Sequence, residues 1–261
     1  MSGAGAITAV VFLEWTVGWV AVSAWCQSWG IVSRGNFRIN AWGALGFGVL
    51  AWFALRSATG GLDRSFLNAS LIALLVLLVV HLLVQWSRTD VPGVVVGYAA
   101  GAAGVVALAA AAALVDGWSD ALAAAELGAG ALLLGGVTNG MLLGHWYLNQ
   151  PGLKTWALAR ITKLTLAGSI ATAVLGVVAA SRLSKASTEG ALGLPGSSDS
   201  FGLAFFLIWI ALVVFTAGVV WAAKRCIEIR SIQSATGLYY VAILTAGVAE
   251  FLVRYLMLNT S

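Results

Sequence analysis

Long apolar runs separated by short polar breaks dominate the pattern of this 261-residue chain. A helix needs about 20 apolar residues to cross a bilayer, or somewhat fewer when its polar ends reach the interface. The runs therefore predict eight spanning helices, which we number spans 1 to 8, at residues 4–29, 40–55, 66–86, 93–115, 121–148, 162–181, 201–222 and 236–257. The predicted fold is an all-α, polytopic membrane bundle that forms a single transmembrane domain over residues 1–261.

The composition agrees with a membrane protein. Hydrophobic residues make up 61% of the chain and charged residues 9%, and the mean hydropathy is +0.95. A soluble domain carries about 25% charged residues, so this chain is not expected to form one. Since basic residues in a membrane protein chiefly set its orientation, the net charge of +4 indicates the lipid bilayer as partner and not nucleic acid.

The basic residues outside the span interiors are distributed unequally between the two sides. Nine lie on the side of the loops 1–2, 3–4, 5–6 and 7–8, and four lie on the other side. The nine are Arg34, Arg38, Arg88, Lys154, Arg160, Lys163, Lys224, Arg225 and Arg230, and the four are Arg56, Arg64, Arg182 and Lys185. The positive-inside rule places the nine in the cytoplasm, so both termini are expected on the non-cytoplasmic side of a bacterial inner (cytoplasmic) membrane.

Two histidines and three tyrosines form a first candidate site on the predicted cytoplasmic side. His81 lies near the end of span 3 and His145 near the end of span 5, while Tyr147, Tyr239 and Tyr240 follow at similar depth. Two imidazoles at one depth suit the axial positions of a haem b, and only in that case would His81 and His145 be metal ligands. A quinone pocket needs an apolar slot and one or two such hydrogen-bonding groups. A third interpretation, in which each histidine is a satisfied interfacial residue, stays open.

Charged residues inside the spans form a second candidate site, on the predicted outer side. Glu250 and Arg254 are spaced i, i+4 in span 8, which favours an intrahelical pair. Glu14 lies near the middle of span 1 with no basic partner in its own helix. It must therefore be protonated, or meet Arg254 or polar groups of other helices. Proton or substrate handling and a purely structural pairing are the alternatives, and Glu126 is expected to be wet because it lies near a helix end.

Glycines recur at intervals of four in two of the spans. Gly136, Gly140 and Gly144 form one small-residue ridge in span 5, and Gly97 and Gly101 form another in span 4. Such ridges let helix backbones approach closely. Close helix packing is the simpler interpretation, and a ridge lying against a flat cofactor is the alternative.

The last span, "ATGLYYVAILTAGVAEFLVRYLM", resembles the closing helix of multi-helix anchor subunits of respiratory oxidoreductases of the polysulfide-reductase and dimethyl-sulfoxide-reductase type. The matching positions are Gly247, Glu250, Arg254 and Tyr255, and they cover one helix in eight. The resemblance implies a subunit that binds quinone, usually without haem, and exchanges electrons with iron–sulfur partners. The stretch "GHWYLNQPGL" has no counterpart in that pattern, so only Glu250 and Arg254 inherit a role from it.

The expected function is that of a membrane subunit of a respiratory or other electron-transfer complex. It would bind quinone near the cytoplasmic face. One form of this hypothesis adds a haem b at the same face. The short loops require that redox cofactors come from other subunits, so the chain is either a quinone-reacting or a non-catalytic part of an oxidoreductase. A small-solute or proton-coupled transporter with Glu14 and Glu250 as coupling carboxylates is one alternative, and a structural scaffold is the other.

Overall fold

The computed structural model describes residues 3–58, 64–150, 152–186 and 200–259. These residues form helices and no strand. Eight of the helices are long and apolar enough to span a membrane, which confirms the all-α bundle of eight spans. The helices are α1 (Gly3–Gln27), α2 (Arg34–Arg56), α3 (Ser65–Val84), α4 (Val91–Ala112), α5 (Asp120–Trp146), α6 (Thr155–Val178), the short α7 (Ala180–Leu183), α8 (Ser200–Glu228) and α9 (Ile232–Leu258).

Four helices, α2, α6, α8 and α9, are longer than their predicted spans. α2 begins at Arg34, six residues before the predicted start, because its first turns bury polar side chains that hydropathy counts against a span. One of them is Asn40, whose Oδ1 accepts a hydrogen bond of 2.7 Å from the Trp19 indole. α6 begins at Thr155, seven residues before the predicted start of span 6 at residue 162. α8 continues to Glu228, beyond the predicted end at residue 222.

The eight long helices pack as two groups of four. In the first group α1, α2, α3 and α4 each contact the next, and α4 returns to α1. In the second group α5, α6, α8 and α9 repeat the same order of neighbours. The groups meet chiefly where α1 packs against α5. These two central helices have 61% and 67% of their span residues buried, against 50% or less in the other spans.

Two glycines permit the contact between the groups. Gly18 of α1 and Gly135 of α5 lie against each other, and a Cβ built on either would overlap the main chain of the other helix. The ridge predicted in span 5 also serves close packing, since a Cβ on Gly136 would strike α6 and one on Gly140 would strike the Tyr239 ring of α9. Close helix packing is therefore the role of these positions.

The connections between the long helices alternate between the two ends of the bundle. We call the end where α1 begins and α9 ends the terminal face, and the other end the opposite face. The nine basic residues predicted to be cytoplasmic lie towards the opposite face. Large apolar side chains such as Val76, Val105 and Leu244 are exposed on the outside of the bundle, as an integral membrane protein requires.

Candidate functional site

One arginine and three glutamates are buried together where the two helix groups meet. This arginine–glutamate cluster consists of Glu14 from α1, Glu126 from α5, and Glu250 and Arg254 from α9. All four residues are 0% exposed. Glu14 belongs to the first group and the other three to the second, so the cluster connects the two groups.

The guanidinium of Arg254 lies at the centre of the cluster. Its Nε donates to Glu14 Oε1 over 2.9 Å, and its Nη2 lies 2.8 Å from the same oxygen. Nη2 also donates to Glu250 Oε2 over 2.9 Å and to the main-chain oxygen of Glu126 over 2.9 Å. Nη1 is 3.8 Å from Glu126 Oε2. The predicted intrahelical pair of Glu250 and Arg254 is confirmed, and Arg254 is also the partner of Glu14.

Gly130 of α5 has no side chain, and the cluster occupies the space that a side chain at this position would fill. Gly130 follows Glu126 by four residues, so both positions share one side of the helix. A Cβ on Gly130 would lie 2.6 Å from Glu250 Oε2 and 2.7 Å from both Arg254 Nη2 and Glu14 Oε1. Gly130 was not predicted as part of the site, although its four-residue spacing from Glu126 was an available signal.

The carboxyl groups outnumber the cation that they surround. If all three glutamates were ionised, the single guanidinium would leave a net charge of minus two inside the bundle. Uncompensated charge in a membrane interior is costly. Four carboxyl oxygens also have no hydrogen-bond partner among the described residues, namely Glu14 Oε2, Glu250 Oε1 and both oxygens of Glu126. An electroneutral cluster therefore carries two protons on its three carboxyl groups.

The three carboxyl groups are not equivalent. Glu14 is best placed as the counter-ion, since one of its oxygens meets two guanidinium nitrogens. Glu126 is best placed to hold a proton, because neither of its carboxyl oxygens has a hydrogen-bond partner in the described part of the chain. Six residues separate it from the start of α5 at Asp120, a rise of about 9 Å. The expectation that Glu126 is wet was wrong, since α5 is a central helix and Arg254 reaches across to this position.

The residues of the first candidate site lie in separate environments. One environment is a buried group formed by the His81 imidazole and the side-chain amides of Gln85 and Gln27. His81 is 1% exposed, and Gln85 Nε2 lies 3.3 Å from its Nε2. Gln85 also exchanges hydrogen bonds of 3.0 and 3.2 Å with Gln27 of α1. A Cβ on Gly97 would lie 2.9 Å from His81 Cε1. Polar partners and tight packing both fit a structural role for His81.

The other members of the first candidate site lie elsewhere at the same end of the bundle. His145 is exposed. The Tyr147 hydroxyl donates to a main-chain oxygen in the α5–α6 connection over 2.6 Å. Tyr239 is buried and donates to Thr162 Oγ1 over 2.8 Å, whereas Tyr240 is 48% exposed. The five residues therefore do not line one pocket in the described structure.

The two histidines are not arranged as a pair of axial ligands. α3, which carries His81, packs against α2 and α4, whereas α5, which carries His145, packs chiefly against α1, α6 and α9. His81 is enclosed and His145 is exposed, so the two imidazoles lie in different environments. Within the described residues, no group of three or more His, Cys, Asp or Glu is arranged to hold a metal ion.

Comparison of the chain with family models, with curated proteins and with solved structures found no match. The resemblance of the last span to quinone-reacting anchor subunits stays a prediction. The chemistry of the arginine–glutamate cluster is therefore the main basis for inferring a function.

Proposed function

We propose that this chain is a proton-handling membrane subunit of an electron-transfer complex, and that the arginine–glutamate cluster holds the exchanged protons. One observation carries the proposal. The carboxyl group of Glu126 is buried and has no hydrogen bond to any described residue, and it lies 3.8 Å from a guanidinium that already contacts two other carboxyl groups. Ionisable residues inside a membrane are costly, and proton relays are one of the functions for which they are retained.

The contacts suggest how a proton would move. In the resting cluster, Glu14 is the carboxylate that balances Arg254, and Glu126 and Glu250 are protonated. Loss of the Glu126 proton to the terminal face leaves a carboxylate that Arg254 Nη1, 3.8 Å away, can approach and stabilise. Return of a proton restores the neutral state. The guanidinium thus lowers the energy of the deprotonated state without leaving the cluster.

Quinone is the proposed redox partner within the bilayer. Reduction of a quinone to a quinol consumes two electrons and two protons, and the electrons would come from cofactors of partner subunits. Among the predicted quinone contacts we retain His145 and Tyr240, the two with exposed side chains. Nineteen residues of α5 separate Glu126 from His145, a rise of about 28 Å. A proton site and a quinone site so far apart suit a subunit that moves protons across the bilayer.

The second candidate function is proton-coupled transport of a small solute. The observation that favours it is the position of the cluster between two four-helix groups with the same order of neighbours. Transporters commonly bind substrate and coupling ions where two such repeats meet, and they alternate access by rocking one repeat against the other. Glu14 and Glu250 would then be the coupling carboxylates.

The proposal can be tested by purifying the tagged chain from its native membranes together with its bound subunits. The purified complex is then reconstituted into liposomes that contain a pH-sensitive dye. Quinone-linked electron transfer should change the internal pH in the wild type. Glu126→Gln should reduce this proton movement by about a hundredfold, the low end of what one positioned proton-transfer group contributes. Glu228→Gln is the matched control, since Glu228 pairs with Arg225 at the surface over 2.7 Å.

Three results would count against the proposal. Equal proton movement in Glu126→Gln and Glu228→Gln would remove the cluster from the pathway. The absence of any redox subunit or quinone, together with solute uptake driven by a pH gradient, would establish the transporter instead. Absence of both activities, with Glu14→Gln and Glu126→Gln tolerated, would indicate a structural scaffold.

A further inference from the structure

The lipid-facing side of α2 and α3 carries an apolar groove of about 580 Å³. Its walls include half-exposed aliphatic side chains, such as Ile72 at 50% and Val76 at 57% exposure. The lining residues are Leu45, Val49, Trp52, Ile72, Leu75, Val76, Val79 and Val80. None of these eight lining residues is charged, so the groove suits a hydrocarbon chain.

The groove continues into a polar pocket at the terminal face. This pocket has a volume of about 370 Å³ and shares Trp52 and Ile72 with the groove. Its other lining residues include Arg56, Arg64 and Asn68. From Arg56 to the far end of the groove at Leu45, α2 rises about 16 Å. Together the two volumes form one amphipathic channel with two cations at its outer end.

Both cations are held at the rim by contacts within the protein. The Arg56 guanidinium lies over the Trp52 ring, 3.9 Å from its centroid. Arg64 Nη1 donates to the main-chain oxygen of Ala58 over 2.8 Å, which ties the start of α3 to the end of α2. A guanidinium keeps further donors when one of its nitrogens is occupied, so each arginine can still bind an anion.

We propose that this channel binds one phospholipid with an anionic headgroup, with an acyl chain in the apolar groove and the phosphate between Arg56 and Arg64. Charge complementarity favours this occupant over a helix of a partner subunit, because the two cations lie at one end of the channel, where α2 ends and α3 begins, and the groove beyond them is apolar. Basic pockets beside transmembrane helices recognise anionic headgroups through the same interactions.

Native mass spectrometry of the intact chain from nanodiscs tests the site. The discs contain phosphatidylcholine with increasing amounts of phosphatidylglycerol, and the measured quantity is the number and type of lipids that stay bound. The wild type should retain one phosphatidylglycerol in preference to phosphatidylcholine. Arg56→Gln and Arg64→Gln should each reduce that preference about fivefold, the effect of one basic residue near a membrane surface.

The matched control is Arg182→Gln, because Arg182 lies at the same face and also approaches a tryptophan ring, at 6.0 Å. Val76→Trp should fill the groove and abolish the retained lipid while the helices remain folded. Equal retention of both lipids by the wild type would overturn the proposal. So would an equal loss in Arg182→Gln, or crosslinks from the groove to a partner subunit in native membranes.

Discussion

Replacement of Gly130 by alanine should disrupt the arginine–glutamate cluster without replacing any of its charged residues. The added Cβ would lie 2.6 to 2.7 Å from three polar atoms of the cluster. Ordinary contact begins near 3.4 Å, so these atoms must retreat by about 0.7 Å. The same substitution at Gly128 of α5 meets nothing within 4 Å and is the matched control.

The structure sets the size of the effect. Arg254 Nη2 lies 2.8 Å from Glu14 Oε1 and 2.9 Å from Glu250 Oε2. Since the new methyl group would lie within 2.7 Å of all three atoms, their retreat from it should increase both distances towards 3.5 Å or more, where a hydrogen bond is lost. Breaking a buried ion pair costs about 3–5 kcal/mol. The bond from Nε to Glu14 survives in part, so Gly130→Ala should lower the free energy of unfolding by about 3 kcal/mol.

The change in the free energy of unfolding can be measured for both variants by titration with sodium dodecyl sulfate in mixed micelles, with tryptophan fluorescence as the readout. Gly128→Ala should match the wild type or exceed it slightly, because alanine has the higher helix propensity. Equal stability of Gly130→Ala and Gly128→Ala would refute the described packing of α5 against the cluster.

Three further predictions use the same titration. Arg254→Lys should lose about 2–3 kcal/mol, because one ammonium group cannot replace a planar fork that contacts three carboxyl groups. His81→Leu should lose about 1–3 kcal/mol by leaving the buried Gln85 amide without one partner, whereas His145→Ala should stay within about 0.5 kcal/mol because its side chain is exposed. Asn139→Ala should cost about 1 kcal/mol, since its Nδ2 donates to main-chain oxygens of α1 and α5 over 3.1 and 2.9 Å.

The number of spans could be predicted because one physical requirement applies to every segment that crosses the hydrocarbon core. Backbone groups must be satisfied within the segment, so each long apolar run becomes a helix. The start of α2 at Arg34 was not predictable from hydropathy, since Asn36 is polar yet buried in the first turn. Contacts within one helix, such as Glu250 with Arg254, follow from spacing alone.

Contacts between helices could not be predicted, because a single sequence does not show which helices are neighbours in the bundle. His81 and His145 were correctly placed near the same end of the bundle, but they lie on helices from different groups. Glu126 was discounted because it lies near a helix end, and its partner Arg254 is 128 positions away. With the neighbours of α5 known, Glu126 becomes the central residue of the proposed function.

The central claim, that the cluster holds two protons, is tested most directly by infrared spectroscopy of the carboxylic C=O stretch in reconstituted protein at neutral pH. Electroneutrality predicts that Glu14→Gln, Glu126→Gln and Glu250→Gln each reduce the number of buried protonated carboxyl groups from two to one, because Arg254 always keeps one carboxylate. Glu228→Gln should leave the band unchanged. A wild-type spectrum without a protonated carboxyl band that responds to these three substitutions would contradict the account.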